Sequence, residues 1–538
     1  MTPQQIWPKD RAERYRAAGY WRGETFSQML AARAQAHPDR IAVTGPDGSF
    51  SYGALADRAG RMAARFRAAG LEPGQRVIVQ LPNLADMVTV VFGLFHAGLI
   101  PVFALPAHRR AEITHFRDKA QASALVIPGQ HGGFDYRELA RDCGIAQVFV
   151  PGDPGPDQAG GPAFHDLRDL SDAAPPAYPA DAGQVAFLQI SGGSTGLSKL
   201  IPRSHDDYLY SVRASARICG LDDSAVYLTA LPAAHNFPMS SPGWLGAIWA
   251  GGHVVMAPDP NPATCFALIA RHRVTITGLV PPLALVWADA AARGHADLSS
   301  LRLLQVGGAK LTAQAAARLL PAFGGRLQQV FGMAEGLVNY TRPDDPEQIV
   351  LTTQGRPISP DDELRVVDDH DRPVPDGQTG HLLTRGPYTI NAYHNDPAAN
   401  ARSFTEDGFY RTGDMVRLLP GGYVQVQGRA TDHINRAGEK VSAEEVEDHL
   451  IAHPDVFDAA VVALPDAFLG ERACAVIVPR GPAPRPADLR AFLRDRGIAG
   501  FKIPDQFSFT EGFQTTAVGK TSRKALRAAL RDSLMQKE

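Results

Sequence analysis

Nine consecutive residues, Ser191-Gly-Gly-Ser-Thr-Gly-Leu-Ser-Lys199, follow directly on the apolar run Ala186-Phe-Leu-Gln-Ile190 and could ring an anion. Small residues let the backbone approach closely, and successive N–H groups and hydroxyls can surround phosphate oxygens. The spacing is not that of a Walker A loop. Counted from Gly193, Ser198 stands where the second glycine belongs and Leu200 where serine or threonine belongs. Lysine is scarce in this chain. Of 54 basic residues nine are Lys, and three of those (Lys199, Lys440 and Lys520) fall in glycine-containing segments. A compact ammonium on a flexible stem does what a planar guanidinium cannot, so lysines kept against an arginine-rich background are candidates for chemistry.

The 191–199 loop resembles the phosphate-loop signature of the adenylate-forming superfamily, which includes acyl-CoA synthetases, luciferases and peptide-synthetase adenylation domains. Three further stretches resemble family motifs in the same order: Val330-Phe-Gly-Met-Ala-Glu335, Tyr410-Arg-Thr-Gly-Asp414, and Gly428-Arg429 with Asp432 followed by Thr516-Ala-Val-Gly-Lys520. The resemblance implies attack of a carboxylate on the α-phosphate of ATP, with release of pyrophosphate. Two anions must meet, so positive charge has to be aimed where negative charge develops. By resemblance, Ser191, Gly192, Gly193, Ser194, Thr195, Gly196 and Lys199 hold the β- and γ-phosphates, and Glu335 ligates Mg²⁺. Asp414 accepts from the ribose hydroxyls, Arg429 reaches ribose or phosphate, and Lys520 contacts both the carboxylate and the α-phosphate. Gly308, Ala309, Val330, Gly332, Met333 and Ala334 complete the nucleotide-binding set.

The segment Ala234-His-Asn-Phe-Pro-Met-Ser-Ser-Pro-Gly243 resembles the subgroup of aryl-acid ligases that activate 2,3-dihydroxybenzoate or salicylate for siderophore assembly. His235 and Phe237 offer flat faces to an aromatic ring, Asn236 a hydrogen bond to an ortho hydroxyl, and Ser241 one to a neighbouring hydroxyl. His235 also stands among the expected catalytic residues, and Gly307, Gly308, Ala309 and Val338 would wall a thin slot. Amino-acid-activating relatives usually carry an acidic residue near position 236, so Asn236 points to a substrate without an α-amino group. Phe237 stands where many dihydroxybenzoate enzymes have Tyr, whereas salicylate-preferring relatives often have Cys where Ser241 stands; the ring substitution stays open. The implied second half-reaction moves the aryl group to the phosphopantetheine thiol of a carrier protein in trans, through a tunnel lined by Gly438 and Lys440. A ligase using free CoA and a non-catalytic regulator binding an aryl ligand or AMP are the alternative readings.

These residues need elements to hold them. From about residue 25 to 350, apolar runs such as 76–81, 124–128, 146–150, 186–190, 225–231 and 301–306 alternate with helical stretches at 52–70 and 312–323. That alternation predicts an α/β fold with parallel-rich sheets. The Pro/Gly-rich 151–164 reads as a surface loop. Residues 360–428 read as a small β unit, expected as a barrel, completing a large N-terminal domain over 1–428. A hinge at 429–433 follows, with Thr431 where the family commonly has Asp or Lys as pivot. Residues 434–538 read as a mobile C-terminal α+β domain whose first helix starts at the capping box Ser442-Ala-Glu-Glu445. His449 and His453 have metal-compatible spacing but read as surface histidines.

Composition narrows the classes. A net charge of −3 over 538 residues argues against nucleic acid or a membrane surface as partner. Four well-separated cysteines offer neither a disulfide framework nor a zinc ribbon. Neither a secretory signal nor a long apolar run is visible, so the expected location is the cytoplasm.

Overall fold

The computed structural model describes residues 6–152, 155, 161–168, 178, 180–191, 198–294, 296–430, 433–436, 439–466, 469–516 and 520–535. The apolar runs of the first two-thirds become buried strands of two sheets. One has nine strands, running from Arg356–Pro357 through Val338–Tyr340, Leu327–Gly332, Leu303–Gly307, Ile276–Leu279, Val226–Thr229 and His253–Met256 to Ile41–Gly45 and Gly48–Ser51. Its middle is parallel and its two ends antiparallel. The other has seven strands, ordered Leu200–Ser204, Val185–Ile190, Ile100–Phe103, Arg76–Val79, Ala122–Val126, Gln147–Val150 and Ala163–Asp166.

Helices Tyr52–Ala68 and Ala85–His96 lie in the layer between the sheets, and the main core joins Phe66, Val77 and Phe92 to Tyr227, Val254 and Ile276. The residues after the 200–204 strand show how local sequence positions the site. Ser204 caps helix His205–Ile218, accepting from Asp207 N, while the Asp207 carboxylate accepts from Ser204 N and Oγ and pairs with Arg203. This satisfies the exposed N–H groups of the helix start. It also anchors a fully buried arginine whose other donors serve the active-site turn described below.

Strands Glu363–Val367, Gly380–Arg385, Tyr410–Leu419 and Tyr423–Arg429 form a four-stranded antiparallel sheet. In place of the expected barrel, the first and last of these strands do not pair with each other among the described residues; the last is bonded instead to the chain before Arg356, Gln354 N donating to the Val424 carbonyl at 2.9 Å and Val424 N to the Gly355 carbonyl at 2.7 Å. The 151–164 loop also needs amendment. Ala163–Asp166 is a strand at the edge of the seven-stranded sheet, paired parallel to Gln147–Val150; residues 153, 154 and 156–160 lie outside the described residues.

After Arg429 the chain builds a five-stranded sheet from Glu439–Ser442, His433–Arg436, Gly470–Pro479 and Val456–Asp466, with Gln506–Phe509 parallel to Gly470–Pro479. Ser442 does cap helix Ala443–Ile451, accepting from Glu445 N at 3.3 Å. That helix and Pro486–Asp495 cover one face of the sheet, and Arg523–Met535 contributes Leu526 and Leu530 to the other. This unit docks on the larger one. Gln314 N donates to Asp448 Oδ1 at 3.1 Å, Arg318 Nη1 to the Phe457 carbonyl at 3.1 Å, and Ser442 Oγ to the Gln427 carbonyl at 3.0 Å. His449 accepts from Arg496 and His453 from the Asp455 amide. Among the described residues no cluster of His, Cys, Asp and Glu is arranged to hold a metal, and no helix is long and apolar enough to cross a membrane.

Candidate active site

The phosphate-loop candidate joins two antiparallel strands, Val185–Ile190 and Leu200–Ser204. Its neck is closed: Ser191 N donates to the Lys199 carbonyl at 3.0 Å, and Lys199 N to Ser191 Oγ at 2.9 Å. Gly192, Gly193, Ser194, Thr195 and Gly196 lie outside the described residues. The Lys199 ammonium stands 4.3 Å over the Tyr393 ring. The Tyr393 hydroxyl donates to Glu335 Oε1 at 2.9 Å and meets the Tyr410 hydroxyl at 3.0 Å. Burial lowers the Lys199 pKa, and Glu335 and Asp396 partly offset it. Asp396 is itself paired with Lys119.

Val330 and Gly332 end strand Leu327–Gly332, and Met333 and Ala334 turn the chain toward Glu335. Buried Arg203 holds this turn by donating from Nη1 to the Ala334 carbonyl at 2.7 Å and from Nη2 to the Tyr388 carbonyl at 2.9 Å. Glu335 is only 8% exposed. One of its oxygens is committed to Tyr393, and the other accepts no hydrogen bond among the described residues.

Across the cleft, Asp414 and Arg429 are directly opposed on neighbouring strands, with Arg429 Nε 2.8 Å from Asp414 Oδ1. Among the described residues, Asp414 Oδ2 is buried without a hydrogen-bond partner. Burial pushes this carboxyl up to about 6, against the pull of Arg429, Thr412 and Lys520. Lys520 enters from the C-terminal unit on a loop whose ends are joined by Thr516 N donating to the Lys520 carbonyl at 2.6 Å. Its Cε lies 3.0 Å from where a Cβ on Gly308 would be. Burial and Arg429 depress its ammonium to about 8, with Asp414 and Glu335 opposing. Lys199 and Lys520, which end the two most widely separated motifs of the candidate set, are therefore both within electrostatic reach of Glu335.

The aryl candidates gather beside Lys520. Burial and then Lys520 hold His235 down to about 3, so its ring is neutral at ordinary pH. Phe237 N donates to His235 Nδ1 at 3.3 Å, which puts the ring proton on Nε2. Asn236 is fixed by Tyr208, whose hydroxyl donates to Oδ1 at 2.7 Å, leaving the amide nitrogen to donate elsewhere. The Phe237 ring crosses two glycines of adjacent strands. A Cβ on Gly278 would lie 3.1 Å from Phe237 Cζ, and one on Gly307 only 2.7 Å from the Val330 carbonyl. Only residues without a Cβ keep this layer thin. Val338 is placed by its amide donating to Tyr388 OH at 3.0 Å, and Tyr388 OH donates to buried Asp362 at 2.6 Å. Ser241 is buried near the base of the group, while Ala309 is exposed at its rim.

Gly438 lies outside the described residues, and Lys440 is seen only as backbone, paired with Asn435. Sequence reasoning missed Arg203, Tyr208, Gly278, Asp362, Tyr388 and Tyr393. Tyr208 and Arg203 flank the Ser204 cap, the one local signal that could have drawn attention to them. The others reach the site only through the fold.

The model of the AMP-binding enzyme family matches residues 30–394, and that of the AMP-binding enzyme C-terminal domain matches residues 445–520. The chain is 57% identical to a 2,3-dihydroxybenzoate-AMP ligase of Bacillus subtilis, over 98% of both chains. It is 46% identical to a salicyl-AMP ligase / salicyl-S-ArCP synthetase of Mycobacterium tuberculosis, over 96% of this chain and 93% of that one. Among solved structures, the apo structure of Mycobacterium smegmatis MbtA is similar with a TM-score of 0.75 at 48% identity, covering 97% of this chain and 98% of that chain.

Proposed function

We infer that this chain, which belongs to the AMP-binding enzyme family, is an aryl-acid–AMP ligase of siderophore-type synthesis. It activates salicylate or 2,3-dihydroxybenzoate with ATP and then passes the aryl group to a carrier-protein thiol. The observation that carries this reading is the approach of Lys520 to Gly308, at the mouth of the glycine-floored slot and beside the open oxygen of Asp414. Full-length similarity to ligases named for these two acids supports the substrate class.

In the first step a carboxylate oxygen of the aryl acid bonds to the α-phosphorus of ATP as the bond to pyrophosphate breaks. Lys520 brings an ammonium to the point where both anions meet, which lowers the cost of their approach. Asp414 Oδ2 accepts from a ribose hydroxyl, and Arg429 both orients that carboxylate and faces the nucleotide. Ser191, Lys199 and the glycine-rich loop between them receive the outgoing phosphates, with Gly308, Ala309, Val330, Gly332, Met333 and Ala334 around the nucleotide. Glu335, buried and with one oxygen uncommitted, suits a Mg²⁺ ion held mostly by phosphate oxygens, and that ion would screen the triphosphate charge. His235 is a neutral donor and a flat wall rather than a proton shuttle. Asn236 donates to the ortho hydroxyl, its orientation set by Tyr208; Phe237, Ser241, Gly307 and Val338 enclose the ring.

The small unit, 434–538, turns about 429–433 between the two half-reactions, and the 436–441 segment with Gly438 and Lys440 then lines the path of the phosphopantetheine thiol. The two separate family matches and the end of the 423–429 strand at Arg429 support this division. A ligase of this kind works in the cytoplasm, where ATP and carrier protein are present.

ATP–pyrophosphate exchange with benzoate, salicylate, 2,3-dihydroxybenzoate, an amino acid and a fatty acid tests the reading. Exchange should depend on the hydroxylated aryl acids. Asn236→Ala should lower their kcat/KM by roughly 5- to 150-fold, the equivalent of about 1–3 kcal/mol for an unmatched buried hydrogen bond, and leave benzoate little changed. Exchange driven best by the fatty acid or the amino acid would overturn it.

A further inference from the structure

The mechanism above sets an ammonium, Lys199, and a carboxylate, Glu335, to work on one triphosphate. Two such groups side by side attract each other, and a direct pair would engage both before the nucleotide arrives. The two do not pair directly among the described residues. Tyr393, to which the mechanism gives no part, touches both instead. The Lys199 ammonium sits 4.3 Å from the centre of its ring, and its hydroxyl donates to Glu335 Oε1 at 2.9 Å.

The backbone ties Tyr393 to both partners at once. Three residues before it, Ile390 N donates to the Glu335 carbonyl at 2.8 Å; one residue after it, His394 N donates at 2.9 Å to the carbonyl of Leu200, the neighbour of Lys199. Tyr393 N donates to Asn400 Oδ1 at 2.7 Å, and its carbonyl accepts from Asn400 Nδ2 at 3.2 Å. Asn400 stands on helix Pro397–Ser403, which Asp396 caps by accepting from Ala399 N at 3.1 Å. The rings of Phe404 and Tyr410 meet the tyrosine edge-on, with centroids 6.0 and 6.4 Å away. A phenol has a single proton to give. Tyr393 gives its own to Glu335, so the 3.0 Å contact between the two tyrosine hydroxyls is a donation from Tyr410. That second bond fixes the direction of the first.

We propose that Tyr393 is a positioning residue that keeps Lys199 and Glu335 apart, taking the ammonium on its ring face and one carboxylate oxygen on its hydroxyl so that both groups stay available to ATP and its metal ion. The proposal rests on the nucleotide-binding part of the reading above. An aromatic face attracts a cation without neutralising it and is a weaker partner than a carboxylate. Phosphate oxygens can therefore draw the ammonium away without first breaking an ion pair, and the second Glu335 oxygen stays open.

The test is calorimetric titration of ATP without aryl acid, in Mg²⁺ and in EDTA, on the unmutated enzyme, Tyr393→Phe and Tyr393→Leu, with pyrophosphate-exchange kinetics and melting temperatures alongside. Tyr393→Phe keeps the ring but releases the carboxylate, so the Kd for ATP should rise in Mg²⁺ and stay within about 3-fold in EDTA. Tyr393→Leu removes both contacts and lets the two charges meet. Its Kd should rise by about 10- to 150-fold in both buffers, the equivalent of one charge-assisted hydrogen bond to be broken before binding. In each variant KM for ATP should rise while kcat and KM for the aryl acid stay within about 3-fold, the pattern of binding lost equally from ground and transition states. ATP bound by Tyr393→Leu as tightly as by the unmutated enzyme, a Tyr393→Phe deficit as large in EDTA as in Mg²⁺, or ATP and aryl acid weakened alike would each overturn the proposal. Should leucine lower the melting temperature enough to unsettle the fold, the phenylalanine variant alone decides. An unmutated enzyme that binds ATP but exchanges with neither salicylate nor 2,3-dihydroxybenzoate would overturn the aryl-acid reading, with the role of Tyr393 still decided by the calorimetry.

Discussion

The pH profile of adenylation tests the paired roles of Lys520 and Asp414 most stringently. In the proposed mechanism Asp414 acts as a carboxylate, the stronger acceptor for a ribose hydroxyl, and its pKa is held up to about 6 by burial. The proposed bridging of two anions by Lys520 needs its protonated form, and burial with Arg429 nearby holds its pKa down to about 8. The signs are opposite. Activity should rise as pH climbs through about 6 and fall as it passes about 8, so kcat/KM for ATP, which reports the enzyme before ATP binds, should be bell-shaped. About one unit beyond either limb, kcat/KM should stand roughly tenfold below its plateau. In kcat the alkaline limb should move upward, because bound ATP surrounds the ammonium with negative charge and favours its protonated form.

Removing the ammonium should cost the plateau roughly 10²- to 10³-fold, the scale seen when one donor to a developing negative charge is deleted, or about 2.7–4 kcal/mol. Lys520→Ala should therefore show both a depressed plateau and no alkaline limb near pH 8, and Asp414→Asn should lose the acid limb instead. Transfer from supplied aryl-AMP to the thiol should survive in Lys520→Ala, because that step makes no use of the α-phosphate approach. Pyrophosphate exchange at saturating aryl acid across about pH 5–10 reads all three enzymes. An alkaline limb that persists in Lys520→Ala, or exchange within a few-fold of the unmutated enzyme, would refute the reasoning.

Two further variants probe the slot and the small unit. Gly307→Ala would place a methyl 2.7 Å from the Val330 carbonyl and 3.2 Å from Phe237 Cζ. An overpacking cost of about 1–3 kcal/mol should raise KM for the aryl acid by roughly 5- to 150-fold and that for ATP much less, as steady-state kinetics will tell. Arg523 pairs with buried Glu444 and Glu447 at 3.4 and 2.8 Å, and burial raises the Glu447 pKa above its ordinary 4.5. Arg523→Ala strands both carboxylates at about 3–5 kcal/mol. Because folded Glu447 retains a proton that the unfolded chain releases above about pH 4.5, the deficit should be smaller at acid pH than at pH 8. Denaturant unfolding at the two pH values checks the sign, and a larger deficit in acid would contradict it.

Much of this enzyme is readable from its residue order because the information is local. Period and apolarity mark buried strands such as 76–79 and 303–307, and Ser442 announces its helix by a cap. Gly-rich loops and the motifs ending in Glu335, Asp414 and Lys520 carry their chemistry in neighbouring residues, so their kinds and order were legible. That the first and last strands of the 363–429 sheet stay apart was not, since closure depends on pairing between strands far apart in sequence.

The slot belonged still less to the sequence. Asn236 could be named as a donor, but its free nitrogen follows from Tyr208, 28 residues earlier, taking its oxygen. Gly278 looks like any strand glycine until Phe237 lies across it. Arg203 looks like one arginine among many until its guanidinium is found donating to the carbonyls of Ala334 and Tyr388. Residue types and motif order are enough to name the groups that could activate a carboxylate, but which of them meet follows from the packed fold. Their placement depends on parallel strands separated by long crossovers, and register across such strands is set by packing of the whole core rather than by adjacent residues.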